Sequence, residues 1–203
     1  MKLLFISLGC DKNLVDSEEM LGMLAADGHQ IVDDEDEAEV IIVNTCCFIG
    51  DAKEESVNTI LEMAEKKKAG TCKVLIVTGC MAQRYKKEIS EEIPEVDAIL
   101  GTTSYGDIIK AVKEAEAGRH FEEYKSIDFL PNISGKRMLT TGGHFAYLKI
   151  AEGCDKHCTY CIIPKVRGNY RSVPMERLIK EAQELADQGV KELILVAQET
   201  TVY

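Results

Sequence analysis

Short apolar runs recur through the first half of the chain, at Leu3–Ile6, Val40–Val43, Val74–Val77 and, more weakly, Ala98–Leu100. Each is bounded by polar or glycine positions, the pattern of strands buried on both faces of a parallel sheet. Helical patterns ending in glycine lie between and after them. The first takes Asn13 as its N-cap, turns Leu14, Leu21 and Leu24 inward and closes at Gly28. The second begins near Asp51, buries Val57, Ile60, Leu61 and Ala64, and stops by Gly70. A third spans Tyr105–Ala117, carries Ile108, Ile109 and Val112, and ends at Gly118. Strands alternating with helices predict an α/β architecture: an open parallel sheet of flavodoxin or Rossmann type.

The alternation lapses from about His120 to His144, where Phe129–Gly135 and Thr140–Gly143 read as turns. The chain therefore divides into a domain at 1–120, a linker at 121–143 and a second unit at 144–203. That unit runs from a strand at Tyr147–Ala151 through a cysteine-rich loop to a helix and a second strand. Pro174 sits in the first turn of the helix, Leu178, Ile179, Ala182 and Leu185 form its buried face, and Gly189 ends it. The closing strand, Leu193–Ala197, runs into Gln198. A lone strand–helix–strand cannot cover both faces of its sheet, so the expectation is that the chain stops partway through its second domain.

The 203 residues are 45% hydrophobic and 29% charged, as in an ordinary folded protein. A net charge of −11 repels phosphate backbones, so no direct nucleic-acid binding is expected of this part. No apolar stretch approaches the ~20 residues of a membrane span. The first ten residues faintly resemble a lipoprotein signal ending at Cys10, but their apolar core falls short of the roughly 7–15 residues such a signal needs. A cytoplasmic location follows, where thiols stay reduced and clustered cysteines mean metal or catalysis rather than disulfides. No nucleophile–base pair supports a hydrolase.

Three of the eight cysteines, Cys154, Cys158 and Cys161, fall within eight residues just past a strand. Three thiols can take three irons of a cubane cluster and leave the fourth iron open. Zinc would want a fourth protein ligand. His157 is the available candidate, but it adjoins Cys158, so ring and thiol reach one ion with difficulty, and it reads as a solvated loop residue. Residues 154–180 carry six basic side chains against two acidic ones, a net +4. Lys165, Arg167 and Arg171 are among them. Such a patch either holds an anionic group or is a solvated loop and helix start.

Cys10, Cys46 and Cys80 each follow an apolar run. In a parallel sheet those strand ends share one edge, the edge where open α/β sheets bind ligands. Glycine before Cys10 and before Cys80 lets backbone approach a bulky ligand. The alternative is that the three are small buried hydrophobes. Cys47 competes with Cys46 for the ligand role, while Cys72 precedes its strand and belongs to the opposite edge.

The C-x3-C-x2-C spacing, with Tyr160 before the third cysteine, resembles the radical S-adenosylmethionine (SAM) superfamily. Coupled to three strand-end cysteines, it resembles the methylthiotransferases of that superfamily over essentially the whole chain. Ser7–Glu18 and Ala197–Thr201 look like the branch acting on an aspartyl residue of a small-subunit ribosomal protein. The tRNA-modifying branch usually has a different stretch after its first cysteine. Cysteine at 47 and glutamate at 199 depart from the usual pattern. The resemblance implies the first strand–helix–strand of a radical SAM (β/α) partial barrel and two 4Fe-4S clusters. Cys154, Cys158 and Cys161 would hold the cluster that cleaves SAM, and Cys10, Cys46 and Cys80 the one carrying the donated sulfur. Tyr160 would lie near the adenine or merely pack the loop, and Gln198 would contact SAM. A 5′-deoxyadenosyl radical would take hydrogen from the aspartyl β-carbon, which then accepts the methylthio group. Implied partners are the ribosomal protein and an external electron donor. This length of chain is expected to lack turnover by itself. Two alternatives stay open: tRNA methylthiolation, and an iron–sulfur electron-transfer or sensing module without SAM chemistry.

Overall fold

The computed structural model describes residues 1–133 and 136–203. Its first part is a parallel sheet wrapped by helices. In chain order these are β1 (Lys2–Ser7), α1 (Asp11–Ala26), β2 (Gln30–Ile31), β3 (Val40–Thr45), α2 (Gly50–Lys68), β4 (Val74–Gly79), α3 (Cys80–Arg84), α4 (Lys86–Glu92), β5 (Ala98–Leu100), a 3₁₀ turn at Tyr105–Asp107, α5 (Ile108–Glu116) and β6 (Phe121–Glu123). The strand order is β2-β1-β3-β4-β5-β6, all parallel. Every residue of β3 and β4 is buried, which is why they read as unbroken apolar runs.

Side chains alternate across the sheet, so each strand feeds two cores. Ile41, Val43, Leu75, Val77 and Ile99 pack with Ile60, Met63 and Ala64 of α2. Leu3, Val40, Ile42, Ile76 and Leu100 pack with Met20 and Leu24 of α1 and Ile108, Ala111 and Val112 of α5.

The second part comprises β7 (Phe145–Lys149), β8 (Ala151–Glu152), α6 (Ile163–Arg167), β9 (Arg171–Ser172), α7 (Met175–Asp187) and β10 (Glu192–Val196). Strands β7 and β10 pair in parallel, and β8 and β9 pair antiparallel. Leu178 and Leu185 of α7 close a small core with Ala146, Leu148 and Val190. No helix among the described residues is long and apolar enough to cross a membrane.

Several sequence expectations are displaced. Cys10, not Asn13, is the N-cap of α1; Asn13 lies one turn inside, fully buried, its amide donating to Leu8 O (3.0 Å) and Thr45 O (2.9 Å). That amide ties the chain after β1 to the end of β3. Leu61 is 47% exposed and Ile179 63% exposed, because the inward arcs of α2 and α7 are narrower than the apolar pattern suggests. Strand β6 extends the first sheet into the segment assigned to the linker, which also packs on α1: Met138 N–H donates to Glu18 O at 3.0 Å. The Ser134–Gly135 part of the expected turn lies outside the described residues.

Candidate functional site

The register of the sheet builds the site. Ser7 of β1 pairs with Asn44 of β3, and Asn44 with Thr78 of β4, so three strand ends stand in one row. Cys10, Cys46 and Cys80 follow within three residues of that row. They lie at the point where the strand order reverses between β1 and its neighbours, the expected ligand position in such a sheet. All three line one cavity of about 970 Å3. Its opposite wall comes from the second part: Ile162, Ile163, Val166, Arg167, Ala197 and Gln198.

Two glycines make the row possible. At Gly9 (φ +91°) a Cβ would fall 2.6 Å from Cys46 Cβ and 2.9 Å from its Sγ. At Gly79 (φ +93°) it would fall 2.5 Å from Thr45 O. Both contacts are closer than real Cβ atoms approach, so only glycine lets β1 and β4 present their thiols beside β3.

Neighbouring cysteines diverge. Cys46 faces the cavity, its N–H donating to Ser56 Oγ at 3.0 Å. Cys47 turns into the α2-side core, with its Sγ donating to Cys80 O at 3.3 Å. Burial pushes the Cys47 thiol above its ordinary range. Cys72 lies at the far edge, buried, with its Sγ donating to Val74 O at 3.0 Å. Burial pushes Cys80 up to about 12, with Arg167 pulling the other way.

Cys154, Cys158 and Cys161 stand on the loop after β8, half-buried, exposed and half-buried respectively. They do not line the cavity of the first trio. Gly153 lets this loop lie against the next: its Cβ would meet Gly168 O at 2.5 Å, and Cys154 N–H donates to Gly168 O at 3.1 Å. Tyr160 is 90% exposed and lines no part of the cavity, whereas Gln198 lines it and accepts from Gly153 N–H at 3.0 Å. His157 is exposed, with φ +45°.

The basic segment is not uniformly solvated. Lys156 pairs with Glu199 and Arg171 contacts Asp128, but Arg167 is buried. Its Nη1 reaches Asp16 Oδ2 at 2.7 Å and Glu152 Oε1 at 3.3 Å, its Nη2 bonds Asn13 Oδ1, and its Nε donates to Cys80 Sγ at 3.4 Å. Lys149 completes a four-charge group, bonded to Asp16 and 2.7 Å from Glu152. Burial favours a neutral Glu152, yet Lys149 and Arg167 outweigh it and hold the carboxyl at about 2. Glu19, whose carboxylate accepts from Tyr105 OH at 2.7 Å, is pushed up to about 7 by burial. Sequence reasoning missed this group as a unit. The available signal was a lysine in an apolar strand, Lys149, followed three residues later by Glu152.

Among the described residues no three His, Cys, Asp or Glu side chains converge tightly enough for a single metal ion. A mononuclear site with zinc–sulfur bonds near ~2.3 Å needs such convergence. A cubane does not, since each cysteine binds a different iron and the thiols spread around it. Three thiols set around a cavity whose approach depends on two glycines fit the polynuclear group.

Residues 2–101 match the Uncharacterized protein family UPF0004, and residues 148–203 the Radical SAM superfamily. Over all 203 residues the chain is 65% identical to the ribosomal protein uS12 methylthiotransferase RimO of Lachnoclostridium phytofermentans and 53% identical to that of Clostridioides difficile. It covers 46% of each. It is 54% identical to the enzyme of that name from Acetivibrio thermocellus over 98% of this chain and 45% of that one. The chain thus spans a little under half the length of these curated relatives.

Proposed function

We propose that the chain belongs to the radical SAM methylthiotransferases, and that it provides both iron–sulfur centres of an enzyme that adds a methylthio group to the β-carbon of an aspartyl residue in a small-subunit ribosomal protein. The observation that carries this reading is the meeting of Cys10, Cys46 and Cys80 around one cavity whose other wall holds Gln198. Cys154, Cys158 and Cys161 would hold the cluster that binds SAM, and the strand-end trio the second cluster. When bound, these groups supply electron transfer, radical formation and the donated sulfur, chemistry that acid–base side chains cannot perform at an unactivated C–H bond.

The chain's own residues bind and orient. Gln198 tethers Gly153, next to Cys154, and so carries the triad loop to the cavity rim. Tyr160, exposed on that loop, would lie near the adenine of bound SAM. Phe48 and Ile49, both more than half exposed beside Cys46, form an apolar lip that excludes water where substrate enters. The protein works in the cytoplasm, taking electrons from an external donor.

Anaerobic reconstitution with iron and sulfide tests the reading. It should give about eight irons per chain and about four in either triple cysteine-to-alanine variant, 10/46/80 or 154/158/161. SAM should alter the electron paramagnetic resonance spectrum of the first variant and not the second. Stoichiometric zinc without a charge-transfer band would overturn it. In cells lacking the enzyme, the missing mass should be on the ribosomal protein and not on tRNA.

A further inference from the structure

Arg167 belongs to neither cysteine set, yet it reaches one. It projects from the end of α6, in the second part of the chain, into the cavity that Cys10, Cys46 and Cys80 line. Its Nε lies 3.4 Å from Cys80 Sγ, while its other two nitrogens are held by Asp16, Glu152 and Asn13. Five hydrogen-bonding groups therefore link the two sites in sequence: Cys80, Arg167, Glu152, Gln198 (Nε2 to Glu152 Oε2, 3.5 Å) and the Gly153 N–H beside Cys154. A guanidinium gripped on two sides cannot swing away as a surface arginine would. In a buried site its charge is poorly screened by solvent or salt.

We propose that Arg167 is a positioning residue that sets the reduction potential of the cluster held by Cys10, Cys46 and Cys80. This rests on the reading that those cysteines hold a cluster. A fixed cation beside a ligating sulfur stabilises the reduced, more negative form, and hydrogen bonds to cluster sulfurs raise the potential in the same sense. Asp16 opposes it: by neutralising Arg167, it keeps the potential lower than the bare cation would. The donor's electron thus meets a second centre tuned by a residue that arrives only when the two parts of the chain dock.

The test is an anaerobic potentiometric titration of the reconstituted full chain, followed by electron paramagnetic resonance. The second cluster is identified as the signal that survives in the 154/158/161 triple variant. Arg167→Met should shift its reduction equilibrium at least about tenfold against reduction, about 59 mV for one electron. Asp16→Asn, which keeps the side-chain shape, should shift it the opposite way, and Arg167→Lys should fall between wild type and Arg167→Met. A purely structural role would lower the melting temperature of these variants without opposed shifts in potential. Shifts of the same sign, or none, with iron content unchanged would overturn the inference and leave the proposed function standing. If Arg167→Met fails to fold, an unmoved potential in Asp16→Asn overturns it equally. Absence of a second cluster from the wild-type chain would overturn the proposed function, and this inference with it.

Discussion

Replacing Gly79 by alanine separates what the backbone contributes to the thiol cavity from what the cysteines contribute. Gly79 sits at φ 93°, ψ −160°, a region only glycine occupies without strain. A Cβ there would lie 2.5 Å from Thr45 O and 2.8 Å from Thr45 N, and closer still to Asn44 Oδ1. Thr45 is Gly79's register partner, so neither backbone can withdraw without opening the ladder between β3 and β4. Strain of about 1–3 kcal/mol and overpacking of about 1–3 kcal/mol combine to a loss of about 2–6 kcal/mol. Gly28 is the control, with φ +92° but nothing within 4 Å of its Cβ position, so Gly28→Ala incurs strain alone, about 1–2 kcal/mol. Urea midpoints of the two variants, with iron content after reconstitution, read the difference. Gly79→Ala should lose clearly more stability and the irons of the second cluster, because Cys80 moves with the displaced backbone; Gly28→Ala should keep its iron. Equal midpoints, or full iron in Gly79→Ala, would refute the argument that close approach shapes this site.

Three further outcomes follow from the buried groups. Lys149→Met leaves Asp16 and Glu152 facing Arg167 alone, which should cost about 3–5 kcal/mol in urea unfolding, and adding Glu152→Gln should recover much of it. A single variant as stable as wild type would show that the ion group is solvated. Cys46→Ala should lose about half of the reconstituted iron and Cys47→Ala none, since Cys47 faces the core; the reverse result would exchange their roles. Glu19, raised by burial from 4.5 to about 7, binds its proton more tightly folded than unfolded, so stability should fall as pH rises from about 4.5 to about 7. The loss is on the order of 1–3 kcal/mol, and Glu19→Gln, measured by thermal melts across that range, should abolish the slope. Glu152, held at about 2, acts in the opposite sense: its contribution is present above about 4.5 and is lost as pH falls through about 2.

The sheet was legible because strands buried on both faces must be continuously apolar, and Val40–Val43 and Val74–Val77 are. Strands β2 and β6 escaped because Gln30–Ile31 and Phe121–Glu123 are short edge strands that pair on one side only and tolerate charge. The trio was legible because parallel strands end together, which needs no local motif. Adjacent residues point apart, so only one of Cys46 and Cys47 could face the cavity; that it is Cys46 depends on the path of the chain after β3, which no pattern encodes. Arg167 was visible only as part of a basic segment. Its inward turn depends on Asp16 and Asn13, 151 and 154 residues away, and sequence proximity carries no trace of such partners.

Strand β10 has a consequence for handling the protein. It pairs with β7 on one side and, among the described residues, with no strand on the other. Leu193 and Leu195 alternate with Ile194 along it, all exposed, Leu195 by 56%. An open backbone edge with apolar side chains on both faces is a template for another copy. Concentrating this 203-residue chain for spectroscopy should therefore favour strand-to-strand association along β10, the strand that leads to Gln198. Leu195→Lys, which charges that edge two residues before the cavity-lining Ala197, should raise the concentration at which precipitation begins.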